Sequence, residues 1–198
     1  MIKKDKFDFF DLLLLLTLAL FCGLRYEVGT DYLLYRGIYE STSVGFINFA
    51  TNRTGFGFLI LNYIFNSALH ADFKVFILFC SAVTVTNYYL FFKKCSSRPG
   101  LSILLYVSLG FYTSSFNEFR QHLSLSIILI AYLFFKKRKK IPAIILSIVG
   151  VSIHSSSIIA VAVYFMIEHF VKKPLKLKNV YIPIFIIYFM LNFFFLKY

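Results

Sequence analysis

Basic residues in this chain come in four clusters, and apolar runs fill the intervals between them. The clusters are Lys3, Lys4 and Lys6; Lys93, Lys94 and Arg98; Lys136, Lys137, Arg138, Lys139 and Lys140; and Lys172, Lys173, Lys176 and Lys178. They hold fifteen of the 21 Lys and Arg residues. Membrane proteins retain such clusters on the cytoplasmic side, so an embedded chain should carry all four there. Composition agrees with embedding. With 59% hydrophobic residues, 26 Phe and 15% charged residues, a soluble domain of 198 residues could not cover its apolar surface. The expected class is an all-α, polytopic integral membrane protein whose helices satisfy their own backbone polar groups. The net charge of +12 does not indicate nucleic acid, because the cations sit in these flanking clusters. Cys22, Cys80 and Cys95 lie far apart, without metal or redox spacing, and read as packing residues.

One threading places every cluster on the same side. Residues 8–24 form a first, uncleaved span after the N-terminal lysines, with no small-x-small cleavage site behind it. Residues 25–54 form a polar outer loop whose charges cancel. Residues 55–69 are apolar but only about 22 Å long as a helix, which suits an interfacial or re-entrant segment. Spans follow at 74–92, at 101–114 and from near Phe116 to Lys136. As one helix, residues 141–171 would measure about 46 Å, too long for a single crossing without strong tilt. A break at His154-Ser155-Ser156-Ser157 makes them a helical hairpin. A last run covers 180–196. This gives about seven membrane helices plus the short one, in a single transmembrane domain over 1–198 with the N-terminus in the cytoplasm. Making 55–69 a true span and 141–171 one helix would put two basic clusters outside.

Three polar interruptions then reach the outer face. The first is Arg25-Tyr26-Glu27-Val28-Gly29-Thr30-Asp31-Tyr32-Leu33-Leu34-Tyr35. Arg25 either snorkels at the interface or clamps a phosphate or carboxylate, with Glu27 and Asp31 as internal partners. Asp31 could cap a short helix. Tyr32, Tyr35 and Tyr39 share one helical face, which fits an aromatic belt or a sugar-stacking surface. In the second, Ser115-Phe116-Asn117-Glu118 reads as a capping box. Asn117, Arg120, Gln121 and Ser124 make a polar stripe that must face protein or a water-filled cavity. An arginine at a helix N-terminus is also suited to an anion. The third is His154, a helix breaker or a group that binds substrate or exchanges a proton. No HExxH, GxSxG or Cys–His pattern is present, so neither metal, cofactor nor acyl-enzyme chemistry is expected.

Arg25-Tyr26-x-Val28-Gly29-Thr30-Asp31-Tyr32-x-x-Tyr35, then Asn117-x-x-Arg120-Gln121, then His154-x-Ser156 after a basic loop, resembles the EpsG family. That family is similar to the Wzy-type O-antigen and exopolysaccharide polymerases. Its members are typically longer than this chain, so the resemblance raises truncation at Tyr198. It implies a glycosyltransferase of the inner (cytoplasmic) membrane, serving exopolysaccharide, capsule or O-antigen synthesis. Its partners would be an undecaprenyl-diphosphate-linked oligosaccharide and other polysaccharide-assembly proteins. Arg25, Tyr32, Tyr35, Asn117, Arg120 and Gln121 would bind substrate. Asp31 would be the first candidate base and His154 the second, with arginines replacing a metal because no DxD motif occurs. A non-catalytic transporter or flippase, or an accessory subunit of an export complex, would also need outward arginines.

Overall fold

The computed structural model describes residues 7–42 and 54–171. The lysine clusters at 3–6 and 172–178, part of the outer loop and the run at 180–196 lie outside them. The described residues are helical, with no strand among them: α1 (Phe9–Gly23), α2 (Tyr32–Ser41), α3 (Phe56–Tyr63, continued by a π-helical turn Ile64–Ala68), α4 (Phe73–Cys95), α5 (Pro99–Ser108), α6 (Phe111–Ser114), α7 (Phe119–Lys136), α8 (Lys140–Ile153) and α9 (Ile158–Val171). The chain divides into two units, Met1–Ala160 and Val161–Tyr198. Of the second, only residues 161–171, the greater part of α9, are described.

Four helices carry the first unit. α1 packs on α4, α4 on α7, and α7 on α8, while α3 closes against α8 and α5 against α4. The polarity of these legs is fixed by contacts at their ends. Asp8 and Asp11 form a reciprocal cap that starts α1. Lys93, near the end of α4, hydrogen-bonds the Asp11 carboxylate and the Tyr89 hydroxyl. The start of α1 is therefore level with the end of α4. Lys136, ending α7, lies close enough to Cys95 to act on its thiol. The basic turns at 93–98 and 136–140 thus share one end of the bundle, and the three motifs share the other. The core at the motif end is aromatic, built from Tyr32, Tyr35, Phe58, Phe73, Phe76 and Phe119 around Ile77, Leu123 and Ile153.

Among the described residues, α4 alone is long and apolar enough to cross a membrane unaided; α1, α5 and α8 are shorter apolar helices. The expectation of about seven membrane helices is met in its all-helical part. The predicted run 101–114 is not one helix. It breaks at Leu109–Gly110, where Gly110 takes φ +83°. Beyond the break, Thr113, Ser114 and Ser115 donate their hydroxyls to the carbonyls of Gly110, Phe111 and Tyr112. The predicted break at His154 is present: α8 stops at Ile153, His154 is extended, and a 3-10 turn Ser155–Ser157 leads into α9. Broad apolar faces of α1, α5 and α8 are exposed, among them Phe10, Phe21, Leu104, Ile141 and Ile148.

Candidate functional site

Arg25 follows α1 by one residue and turns inward rather than snorkelling. It is 8% exposed. Its Nη1 donates to the Cys22 carbonyl at 2.6 Å and lies 3.2 Å from Cys22 Sγ. Its guanidinium carbon sits 5.3 Å from the ring centres of both Phe116 and Phe119, within cation–π range. Nε is buried without a partner. Neither Glu27 nor Asp31 pairs with it; Glu27 is exposed and held at φ +53°.

The next residues dock the first motif on the second. Gly29 has φ +104°, and a Cβ there would stand 2.5 Å from the Phe116 carbonyl oxygen. Only glycine meets both demands. The Thr30 amide then donates to Asn117 Oδ1 at 3.0 Å. Asn117, expected to bind substrate, thereby also clips the two segments together. Asp31 precedes α2 but makes no side-chain cap; it is half-buried and accepts from Thr30 Oγ1 at 3.4 Å. Tyr32, Tyr35 and Tyr39 are 2%, 7% and 3% exposed. They share a face, as their spacing predicts, but that face meets Phe73, Phe58 and Phe119 rather than lipid. All three are therefore core rings rather than open stacking platforms, with Tyr32 and Tyr39 each keeping an edge on a cavity.

α7 begins at Phe119, later than the predicted capping box requires, because the Glu118 amide that Ser115 would cap donates to the Ser114 carbonyl at 2.9 Å. Arg120 is in the first turn and half-buried, its guanidinium carbon 5.9 Å from the Phe58 ring centre. Its Nε is buried without a partner. Gln121 beside it is half-buried as well. One turn on, Ser124 donates to the Gly150 carbonyl at 2.6 Å, and its Oγ lies 2.6 Å from Ser157 Oγ. The predicted polar stripe thus splits into an open arginine and a serine stitch that holds α7 against α8 and the His154 turn. His154 is half-buried there. Burial, with the Arg120 charge added, holds its ring below the usual histidine range, while Glu118 opposes. The same Arg120 charge reaches Tyr35. Arg25, Asp31, Tyr35, Arg120 and His154 are therefore gathered at one end of the bundle.

Glycines let α3 reach the same end. A Cβ on Gly55 would sit 2.5 Å from the carbonyl oxygens of both Ser152 and Ile153, and one on Gly57 would run into Ser152. A group missed in the sequence is His122, buried in the first turns of α7. Its Nε2 is 2.9 Å from Ser114 Oγ, and its Nδ1 is 3.5 Å from the Tyr88 hydroxyl. Its signal was its place four residues after Glu118, whose carboxylate lies 3.9 Å away.

Among the described residues, the ion pairs are Arg36–Glu40 and Lys93–Asp11, and Glu118 lies 3.9 Å from the His122 ring, whose burial disfavours charging. Arg25 and Arg120 have no carboxylate partner in that set. Each guanidinium has spare donors and an aromatic support, which suits it to an oxyanion. No curated protein and no solved structure matches the chain. A family match does exist, and it runs over residues 8–198, through all three motifs. The chain belongs to the EpsG family.

Proposed function

We propose that this protein is a polysaccharide-polymerase-like glycosyltransferase that works at the outer face of the cytoplasmic membrane. Membership of the EpsG family suggests an exopolysaccharide-polymerase-like membrane protein. The exposed apolar faces of α1, α5 and α8 support a lipid surround, since a soluble monomer rarely leaves patches of that extent. In this reading the chain is polytopic, with α3 interfacial, the N-terminus and basic turns in the cytoplasm, and the motif end outside.

The observation that carries the reading is the pair Arg25 and Arg120, without carboxylate partners among the described residues, at the end opposite Lys93 and Lys136. The substrate is an undecaprenyl-diphosphate-linked glycan. An acceptor hydroxyl oxygen attacks the anomeric carbon as the bond from that carbon to the diphosphate oxygen breaks. The bonding electrons leave with the diphosphate, and the two arginines hold its growing charge. The hydroxyl proton passes to Asp31, or to the neutral ring of His154. The test is the purified full-length protein in proteoliposomes with a lipid-linked repeat unit. Polymer formation is expected. Translocation of the unit without polymer would overturn the transferase reading in favour of a transporter.

A further inference from the structure

A cavity of about 500 Å³ opens beside the arginine site, between α2, the π-helical turn after α3 and the start of α4. Its lining differs from the site next to it. Arg36 and Lys74 face Glu40 and Asp72, so the charges cancel. Arg36 Nε already holds Glu40 at 2.7 Å. Tyr26 packs edge to face on the buried Tyr32 at one side of the cavity, their ring centres 6.2 Å apart. Lys74 Nζ lies 5.4 Å from the Tyr26 ring centre, yet Tyr26 remains 57% exposed. The floor is fixed: the Tyr39 hydroxyl donates to the Ala71 carbonyl, and the Asn66 amide donates to the Tyr39 carbonyl, both at 2.5 Å. Such a floor keeps the cavity from collapsing when empty.

We infer that this cavity binds an uncharged saccharide unit, and so holds the sugar portion of a glycan whose diphosphate lies on Arg25 and Arg120. The inference rests on the functional reading above. A charge-balanced lining gives no net attraction for a diphosphate or a uronate. It does offer fixed donors and acceptors at close range, which match a ring of hydroxyls. The exposed ring of Tyr26 takes the apolar face of a pyranose. Tyr32 links the two places, since the charges of both Arg36 and Arg25 act on its hydroxyl.

The test is saturation-transfer NMR on the full-length protein in detergent micelles. The probes are glucose, galactose, rhamnose, N-acetylglucosamine and N-acetylgalactosamine at millimolar concentration. Sodium pyrophosphate and glucuronate are competitors. At least one neutral sugar is expected to receive saturation at its ring protons, and neither competitor should displace it. Tyr26→Ala and Asp72→Asn should each weaken binding about fivefold, the loss of roughly one contact. Both residues are on the rim of the cavity, so the variants should insert and fold normally. Absence of any sugar signal above empty micelles would overturn the inference, as would displacement by pyrophosphate or equal binding by the variants. Sugar binding without polymer formation would retain the cavity and remove the transferase reading; polymer formation without sugar binding would do the reverse.

Discussion

Burial strips Arg25 of water and returns one backbone carbonyl and two aromatic faces. A guanidinium so placed is incomplete until an anion arrives. Arg25→Ala and Arg120→Ala are each expected to lower polymer formation by roughly 100-fold or more, with membrane levels maintained on immunoblots. Lysine should rescue poorly, having no planar fork. Full activity in both alanine variants would end the diphosphate assignment. His154 carries a pH prediction. Its ring is held below the ordinary value of about 6.5, so the unfolded chain binds the proton more tightly. Stability from this group is present above that pH and is lost as pH falls through the folded value. Thermal melts in detergent should drop more steeply below pH ~6.5 for wild type than for His154→Asn; parallel curves would contradict it. At this scale the sequence shows which residues matter better than what they touch. The spacing of Tyr32, Tyr35 and Tyr39 defines their common face, but Phe58, Phe73 and Phe119, which cover it, are distant in the chain. Ser115 carries a cap signature, but the Glu118 amide it would hold goes to the Ser114 carbonyl instead.

The helices meet through backbone-close contacts, and these make the elements sensitive to single methyl groups. Gly29→Ala must hold an unfavourable φ and push Phe116 away, so it should cost about 1–3 kcal/mol or more and loosen the first motif from α7. Gly55→Ala meets two rigid carbonyls at the end of α8 and should cost about 1–3 kcal/mol. Denaturation of both variants in detergent measures these losses, and unchanged midpoints would show that α2, α3 and α8 are not packed as described. Breaks between elements were unequally legible. The one at His154 follows from a run too long for a single crossing, with serines ready to take up freed backbone groups. The one at Gly110 was hidden, because a single glycine inside an apolar run is compatible with a continuous helix until its φ is known.

Among the described residues of the first unit, the lysine-rich turns and the three motifs lie at opposite ends. Lys93 and Lys136 mark one end, with Arg25, Asp31 and Arg120 at the other. The clusters alone forecast this polarity. The sequence could not forecast that Lys93 would be tied to Asp11, a contact spanning most of the first two legs. If the basic end is cytoplasmic, a cysteine introduced as Arg138→Cys, in a Cys95→Ser background, will react with a membrane-impermeant maleimide only after the inner face is opened. Labelling in intact cells would invert the orientation. The break after α5 has one more consequence. α5 has 10 residues, about 15 Å of helix against a hydrocarbon layer of about 30 Å, and its leucines at 101, 104, 105 and 109 are exposed. Lipid along that flank must shorten or bend to meet it. The bilayer would be dimpled there; on the proposed function a long-chain isoprenoid carrier, poorly accommodated in ordered lipid, would collect in the dimple, and turnover would then vary with the acyl-chain length of the surrounding membrane.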